Sequence, residues 1–209
     1  MSKPAEPDRA VRVALDLPEV NRWFTVLRTF PDESGFWEDA GAWAMSSALA
    51  IYGDFRGADA PDPDPAWLER TARLIEAAHH ISKDTTARTS LLFFHDLDRA
   101  PIPAAFNMFE AELPMEKAYR LFVGYFDLDN VRPPEVEQFE YTAGAIGVRA
   151  TRYTYVDRET GELVARVVYY WRRDNVDCQL IATFIDPAEI PAALPGLDNW
   201  ARNTMPYPF

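Results

Sequence analysis

The stretch Leu163-Val164-Ala165-Arg166-Val167-Val168-Tyr169-Tyr170-Trp171, followed by Cys178-Gln179-Leu180-Ile181-Ala182-Thr183-Phe184-Ile185, decides the fold class. Successive side chains of a strand point to opposite faces. On that period Leu163, Ala165, Val167, Tyr169 and Trp171 share one face. Val164, Val168 and Tyr170 share the other, where Arg166 is the only charge. In the second segment Cys178, Leu180, Ala182 and Phe184 oppose Ile181 and Ile185 in the same way. A sheet with one wet face alternates cleanly between apolar and polar residues. These strands are apolar on both faces, so each face needs a cover.

Working outward, Val136 to Tyr141 and Val148 to Val156 read as two further strands. The four are joined by Gly144 to Gly147, by Asp157-Arg158-Glu159-Thr160-Gly161 and by a tight turn at Asp174-Asn175. Links this short permit antiparallel hairpins and leave no room for crossover helices. Three helical segments are available as cover. The first starts at Asp64 as N-cap with Pro65 at the first helical position. It carries Trp67, Leu68, Leu74, Ile75, Ala78 and Ile81 at helical spacing. The second opens at Pro114, with Met115, Ala118, Leu121, Phe122 and Tyr125 on one face. The third starts at Asp186-Pro187 and runs, through Pro191, Pro195 and Gly196, to about Asn203. The expected fold is α+β, a three-layer α/β/α sandwich with a mainly antiparallel central sheet.

Earlier in the chain, Val11 to Leu17, Trp23 to Phe30, Leu91 to Phe94 and Ala105 to Leu113 read as strands. Pro31 to Gly35, residues 56–64 and residues 127–134 read as turns or loops. Phe36 to Phe55 fits a helix by its alanines and a strand by its aromatics, and stays open. Residues 1–10 read as a flexible tail and 11–209 as one α+β domain.

Composition narrows the function classes. The 209 residues include 13 Phe, 9 Tyr and 6 Trp, too many for a disordered chain. With 21 basic against 33 acidic residues the formal net charge is −12. Nucleic acids are held largely by Lys and Arg on phosphates, and the densest basic pair, Arg172-Arg173, is followed at once by acids. Neither nucleic acid nor an anionic membrane surface is an expected partner. Lys occurs only at 3, 83 and 117 while Arg, Ala and Pro abound, a bias usual for GC-rich bacterial genomes. A single cysteine, Cys178, excludes an intrachain disulfide. Residues 1–12 are polar, and no apolar run approaches the roughly 20 residues a spanning helix needs. The expected location is the cytoplasm.

Chemistry is sparse. The histidines are His79, His80 and His95, with no His-Glu-x-x-His and no Cys pair for a metal. His95-Asp96-x-Asp98 and Asp127-x-Asp129-Asn130 hold enough oxygen and nitrogen for a divalent ion. Both read better as caps of strand-to-loop transitions. The acidic loop Asp59, Asp62, Asp64 lacks the Gly and Glu of a calcium loop. No Gly-x-Ser-x-Gly elbow and no phosphate-cradling glycine loop is present. Cys178 falls in an apolar strand, where a thiol is inert. Glu137 with Glu140 and Glu110 with Glu112 read as solvated sheet-edge carboxylates. No catalytic residue, metal or cofactor is assigned.

What remains is aromatic. Trp23, Phe24, Phe30, Phe36, Trp37, Trp43, Tyr52, Phe55 and Trp67 crowd the first third of the chain. Most belong to a core, but Phe36-Trp37 follows a Pro/Ser/Gly loop, and Trp is enriched at binding hot spots. Phe36, Trp37 and Trp43 are the candidate partner-binding residues. The apolar end Met205-Pro-Tyr-Pro-Phe209 is expected to dock on the body or on a second copy.

The second half also matches a known order of elements. A helix and a strand precede Ala143-Gly144-Ala145-Ile146-Gly147-Val148-Arg149-Ala150. A strand pair split by a charged turn, a strand ending Ala182-Thr183-Phe184 and a closing helix follow. Over about residues 105–203 this resembles the PsbP-like superfamily, which takes in PsbP, the Ran-binding Mog protein and LpqN-type lipoproteins. The resemblance implies an α/β/α sandwich without an enzymatic role that acts by binding other proteins. The chain departs from the lipoprotein branch in lacking a signal peptide and an acylatable N-terminal Cys. The expected function is a non-catalytic protein-binding or interaction module, acting on a protein partner or as a homodimer. The alternative is a small-molecule- or metal-binding protein or enzyme with a pocket between sheet and helix, using His95 with Asp96 or Asp98.

Overall fold

The computed structural model of the chain describes residues 13–15, 22–30, 36–141, 146–173 and 175–206. Seven strands form one antiparallel sheet in the order β2-β3-β4-β8-β7-β6-β5. These are β2 (Trp23–Thr25), β3 (Thr89–Phe93), β4 (Ile102–Glu110), β5 (Glu135–Glu140), β6 (Ile146–Asp157), β7 (Glu162–Arg173) and β8 (Val176–Phe184). A separate pair joins β1 (Val13–Leu15) to β9 (Thr204–Pro206). The helices are α1 (Ala40–Arg56), α2 (Pro65–Lys83), α3 (Met115–Phe122) and α4 (Ile190–Asn203). With helix and strand each near a third of the chain, the fold is α+β.

The two-sided apolar strands are covered as their pattern requires. On one face Ala165, Val167, Tyr169 and Trp171 of β7 join Cys178, Leu180, Ala182 and Phe184 of β8 beneath Ala193, Leu197, Trp200 and Ala201 of α4. Trp200 meets Phe106 of β4 edge-on at 5.1 Å. The opposite face is covered in two pieces. Helices α1 and α2 lie over Leu92 and Phe94, while Ala118 of α3 and Val123 just beyond it lie over Ala150, Val168 and Tyr170.

Local signals account for the helices. Asp64 accepts a hydrogen bond from the Ala66 amide at 3.0 Å, and Pro65 opens α2. The open segment is settled as helix from Ala40, where Asp39 accepts from the Ala42 amide at 2.7 Å. Its buried residues Trp43, Ala44, Ser47, Ala48 and Ile51 recur at helical spacing. Several element bounds differ from expectation, most of them by one to three residues. β2 ends at Thr25; the Val26 amide still donates to the Ser90 carbonyl at 2.9 Å, and Leu27 and Phe30 beyond it pack against the cluster under α1 and α2. β4 begins at Ile102 and stops at Glu110, so Leu113 lies outside it. α3 ends before Tyr125 because Gly124, at φ 72°, turns the chain.

The tail over 1–10, the turn over 31–35, Gly144, Asp174 and the docking of 207–209 lie outside the described residues, as do the ends of the strand expected over Val11 to Leu17. Asn175, at φ 64°, keeps the turn between β7 and β8. Among the described residues no helix is long and apolar enough to cross a membrane.

Candidate functional site

Helix α2 carries more apolar surface than it buries. Trp67, Thr71, Ala72, Ile75, His79 and Ser82 form its buried row. One residue round the helix, Leu74, Ala78 and Ile81 repeat at the same spacing and form a second row, in which Ala78 is half-buried while Leu74 and Ile81 are exposed, Ile81 at 66%. Beneath this row the sheet presents Ser90 and Leu92 of β3, Pro103 and Ala105 of β4, and Ile181 and Thr183 of β8. Ser90, Pro103 and Ala105 are short, so the sheet is recessed there. The result is a groove of about 370 Å³ between α2 and the sheet, with Ile185, 82% exposed, at its rim.

The groove is apolar in kind as well as in lining. Its polar atoms are hydroxyls. Ser82 Oγ donates to the His79 carbonyl at 2.7 Å, and Thr85 Oγ1 donates to the Ser82 carbonyl at 3.1 Å. No carboxylate, imidazole, amine or thiol is among the lining side chains. What the arrangement offers is a surface for an apolar body.

At the groove's β7 side the same sheet face turns cationic. Arg166 is cross-strand neighbour to Thr183 of the groove floor and, on the other side, to Arg152. Arg152 is 8% exposed and donates from Nη1 to Asp127 Oδ2 at 2.8 Å. Gly124 makes room for it, since a Cβ there would stand 1.9 Å from Arg152 Nη1. Asp127 also accepts from the Asp129 amide at 3.0 Å. That amide, then the Arg152 guanidinium, holds the Asp127 carboxyl below its usual range. Asp129 is taken by Arg158 at 3.2 Å. Arg166 is half-buried and makes no ion pair or hydrogen bond among the described residues. Burial, then repulsion from Arg152, lowers its affinity for the proton. Among the described residues Arg152 Nε, Thr154 Oγ1 and Asn130 Oδ1 are also buried without hydrogen-bond partners.

The remaining polar clusters are closed. Asp198 of α4 accepts from Tyr169 Oη at 2.6 Å and from Arg149 at 2.8 Å, and Arg149 also holds Glu137 at 2.7 Å. Asp177 accepts from Tyr170 Oη and from Arg172 Nε, both at 2.6 Å. Burial first, and these hydrogen bonds second, push both tyrosines well above their usual range. A depression of about 740 Å³ lies between α3 and β5–β6, where Met115 and Ile146 stand among Glu116, Arg120 and Glu137. Its mixed, charged lining makes it a weaker seat than the groove under α2.

The residues singled out in sequence fare unevenly. Trp43, 4% exposed, packs on Phe24 and Phe30. Its indole belongs to the core. Trp37 is partly buried against the same cluster, and Phe36, 74% exposed, meets it edge-on at 4.7 Å. His95, Asp96 and Asp98 form the turn after β3, in which Asp96 accepts from the Asp98 amide at 2.8 Å. His79 is buried, with Nδ1 2.6 Å from the Leu27 carbonyl. Glu137 is engaged by Arg149, as above. Among the described residues no three His, Cys, Asp or Glu side chains gather to hold a metal. Burial pushes the Cys178 thiol up to about 12.

The groove was hidden by a rule that works for most helices. Helical spacing groups Leu74, Ala78 and Ile81 with Ile75 as one stripe, whereas Thr71, His79 and Ser82 complete the buried row without them. Arg166 did stand out, as the lone charge on its strand face. Compared with known protein families, curated proteins and solved structures, the chain matches none.

Proposed function

We propose that this chain is a non-catalytic binding module of PsbP-like type whose ligand seat is the groove between α2 and the sheet. The observation that carries the reading is the second row Leu74, Ala78 and Ile81 over a floor of Pro103, Ala105 and Ile181. Large apolar side chains left open around a concavity mark ligand or partner sites. A volume of about 370 Å³ falls within the range of small-molecule clefts. At about 30 Å³ for a water-sized group it takes roughly a dozen non-hydrogen atoms. The seat therefore suits one extended apolar chain or a small ring system. The PsbP-like part of this reading rests on the resemblance in element order alone; Gly147 itself lies in β6, the first strand of the hairpin.

The test is calorimetric titration with straight-chain alcohols of increasing length, on the wild type and on Ala105→Phe. Each added methylene is expected to tighten binding about fourfold, the equivalent of about 0.8 kcal/mol, until the groove is full. Ala105→Phe fills the floor and abolishes that binding with little change in Tm. Absence of binding, or binding indifferent to Ala105→Phe, overturns the reading.

A second reading, contact with a protein partner or a second copy, is favoured by Phe36, which stands out of the surface on top of Trp37. Phe36→Ala then lowers the apparent mass in sedimentation or the yield of a crosslinked partner, at unchanged Tm. An unaltered profile removes this reading.

A further inference from the structure

We propose that the ligand of the groove is an amphipathic carboxylate, its chain under α2 and its head on Arg166. The inference rests on the groove being a ligand seat and adds the chemistry of the other end of that ligand.

Charge balance carries the argument. Three guanidinium groups, Arg152, Arg158 and Arg166, gather around two carboxylates, Asp127 and Asp129. Asp127 serves Arg152 and Asp129 serves Arg158, which leaves Arg166 as the surplus cation. Both carboxylates act on Arg166 only at longer range. A half-buried cation without a hydrogen-bonded counter-ion is costly, and an anion from solution removes that cost. A guanidinium presents paired N–H donors that match a carboxylate in two parallel hydrogen bonds.

Position supplies the rest. Cross-strand neighbours in an antiparallel sheet lie about 4.5–5.5 Å apart. Arg166 is the neighbour of Thr183, which lines the groove floor, so the cation begins one strand beyond the apolar seat. On both sides of it β7 is apolar, with Val164 and Val168 buried. A ligand with its chain along Ala105 and Ile181 thus meets Arg166 first at that end, within a cluster of three cations and two carboxylates whose net charge is positive. A neutral ligand of the same length leaves Arg166 unpaired.

The experiment compares decanoate with decanol, below micellar concentrations at pH 7, by calorimetry on wild type, Arg166→Gln, Arg166→Lys and Ala105→Phe. Decanoate is expected to bind the wild type at least tenfold more tightly than decanol. Arg166→Gln should erase that preference while leaving decanol affinity unchanged, and Arg166→Lys should keep part of it. Ala105→Phe should remove both ligands. If decanol binds and decanoate gains nothing, or Arg166→Gln keeps the preference, the head-group assignment is wrong and the groove reading stands. If neither ligand binds, or both ignore Ala105→Phe, the groove reading fails and takes this inference with it.

Discussion

The division of α2 into a buried row and a more exposed row can be tested by truncating one isoleucine from each. Ile75 is fully buried, at 0% exposure, within the cluster formed by α1, α2 and β3. Ile75→Ala removes three carbons that cannot be replaced by water, and such truncations cost about 2–5 kcal/mol. For a domain of this size each kcal/mol lowers Tm by about 2–4 °C. A loss of 3 kcal/mol therefore reads as a fall of roughly 6–12 °C. Ile81 lies six residues on, with two thirds of its surface already in water. Full burial of such a side chain is worth about 1.5–3 kcal/mol, so the remaining third is worth about 1 kcal/mol or less. The better helix propensity of alanine returns a few tenths of a kcal/mol. Ile81→Ala should thus shift Tm by no more than about 2 °C. Urea unfolding followed by circular dichroism measures both, with unchanged m-values as the check that only stability moved. Equal losses for the two variants would place Ile81 in the core, and the groove would not exist as described.

Three further outcomes follow from other parts of the molecule. A Cβ at Gly147 would lie 2.3 Å from the Tyr170 carbonyl and 2.4 Å from the Tyr141 ring. Gly147→Ala should cost about 1–3 kcal/mol in urea unfolding, the usual range for overpacking, and a neutral result refutes that tight contact. The Asp127 carboxyl titrates below its ordinary value of 3.8 in the folded chain. Its contribution is full above that value and is lost as pH falls through the lower, folded one. The stability gap between wild type and Asp127→Asn should therefore be flat from pH 7 to 5 and shrink below about pH 4. A gap that widens in acid contradicts the assignment. Cys178 is fully buried, with its thiol pushed up to about 12. It should react with a thiol reagent at pH 8 only after unfolding in urea, and rapid labelling of native protein would place it elsewhere.

Much of this fold is written locally, and what is not local was not legible. The pair Asp64-Pro65, the antiparallel order of β5 to β8 and the two-sided pattern of β7 appear as expected, although Gly147 lies in β6 and not in the link before it. Helix α1 was obscured because its cap, Asp39, precedes a stretch whose aromatics favour a strand as readily as a helix. The surroundings of Trp43 were equally illegible, because its packing on Phe24 and Phe30 is set by tertiary structure and not by its local sequence. The groove needed a fact that no window of sequence contains, namely that β4 pairs with β8 across about seventy residues. Only that pairing sets Ala105 beside Ile181 and creates the floor.

The same pairing explains why the opening lies where it does. Helices α1 and α2 come between β2 and β3, and α3 comes between β4 and β5, so each packs over the end of the sheet nearest its own strands. On that face no helix belongs to the centre, where β4 meets β8. The α4 face has no such gap, because one helix after β8 runs over Phe106, Leu180 and Tyr169 together. A sequence selected only for stability would fill the gap with bulky side chains, which gain about 0.8 kcal/mol for each buried methylene. Here the central positions are Pro103, Ala105 and Thr183, and the adjoining strand adds Arg166 to an otherwise apolar row. Small residues where large ones would stabilise, next to a cation that makes no ion pair among the described residues, are what the proposed seat requires. Filling it with Ala105→Phe should accordingly cost binding and leave the fold intact.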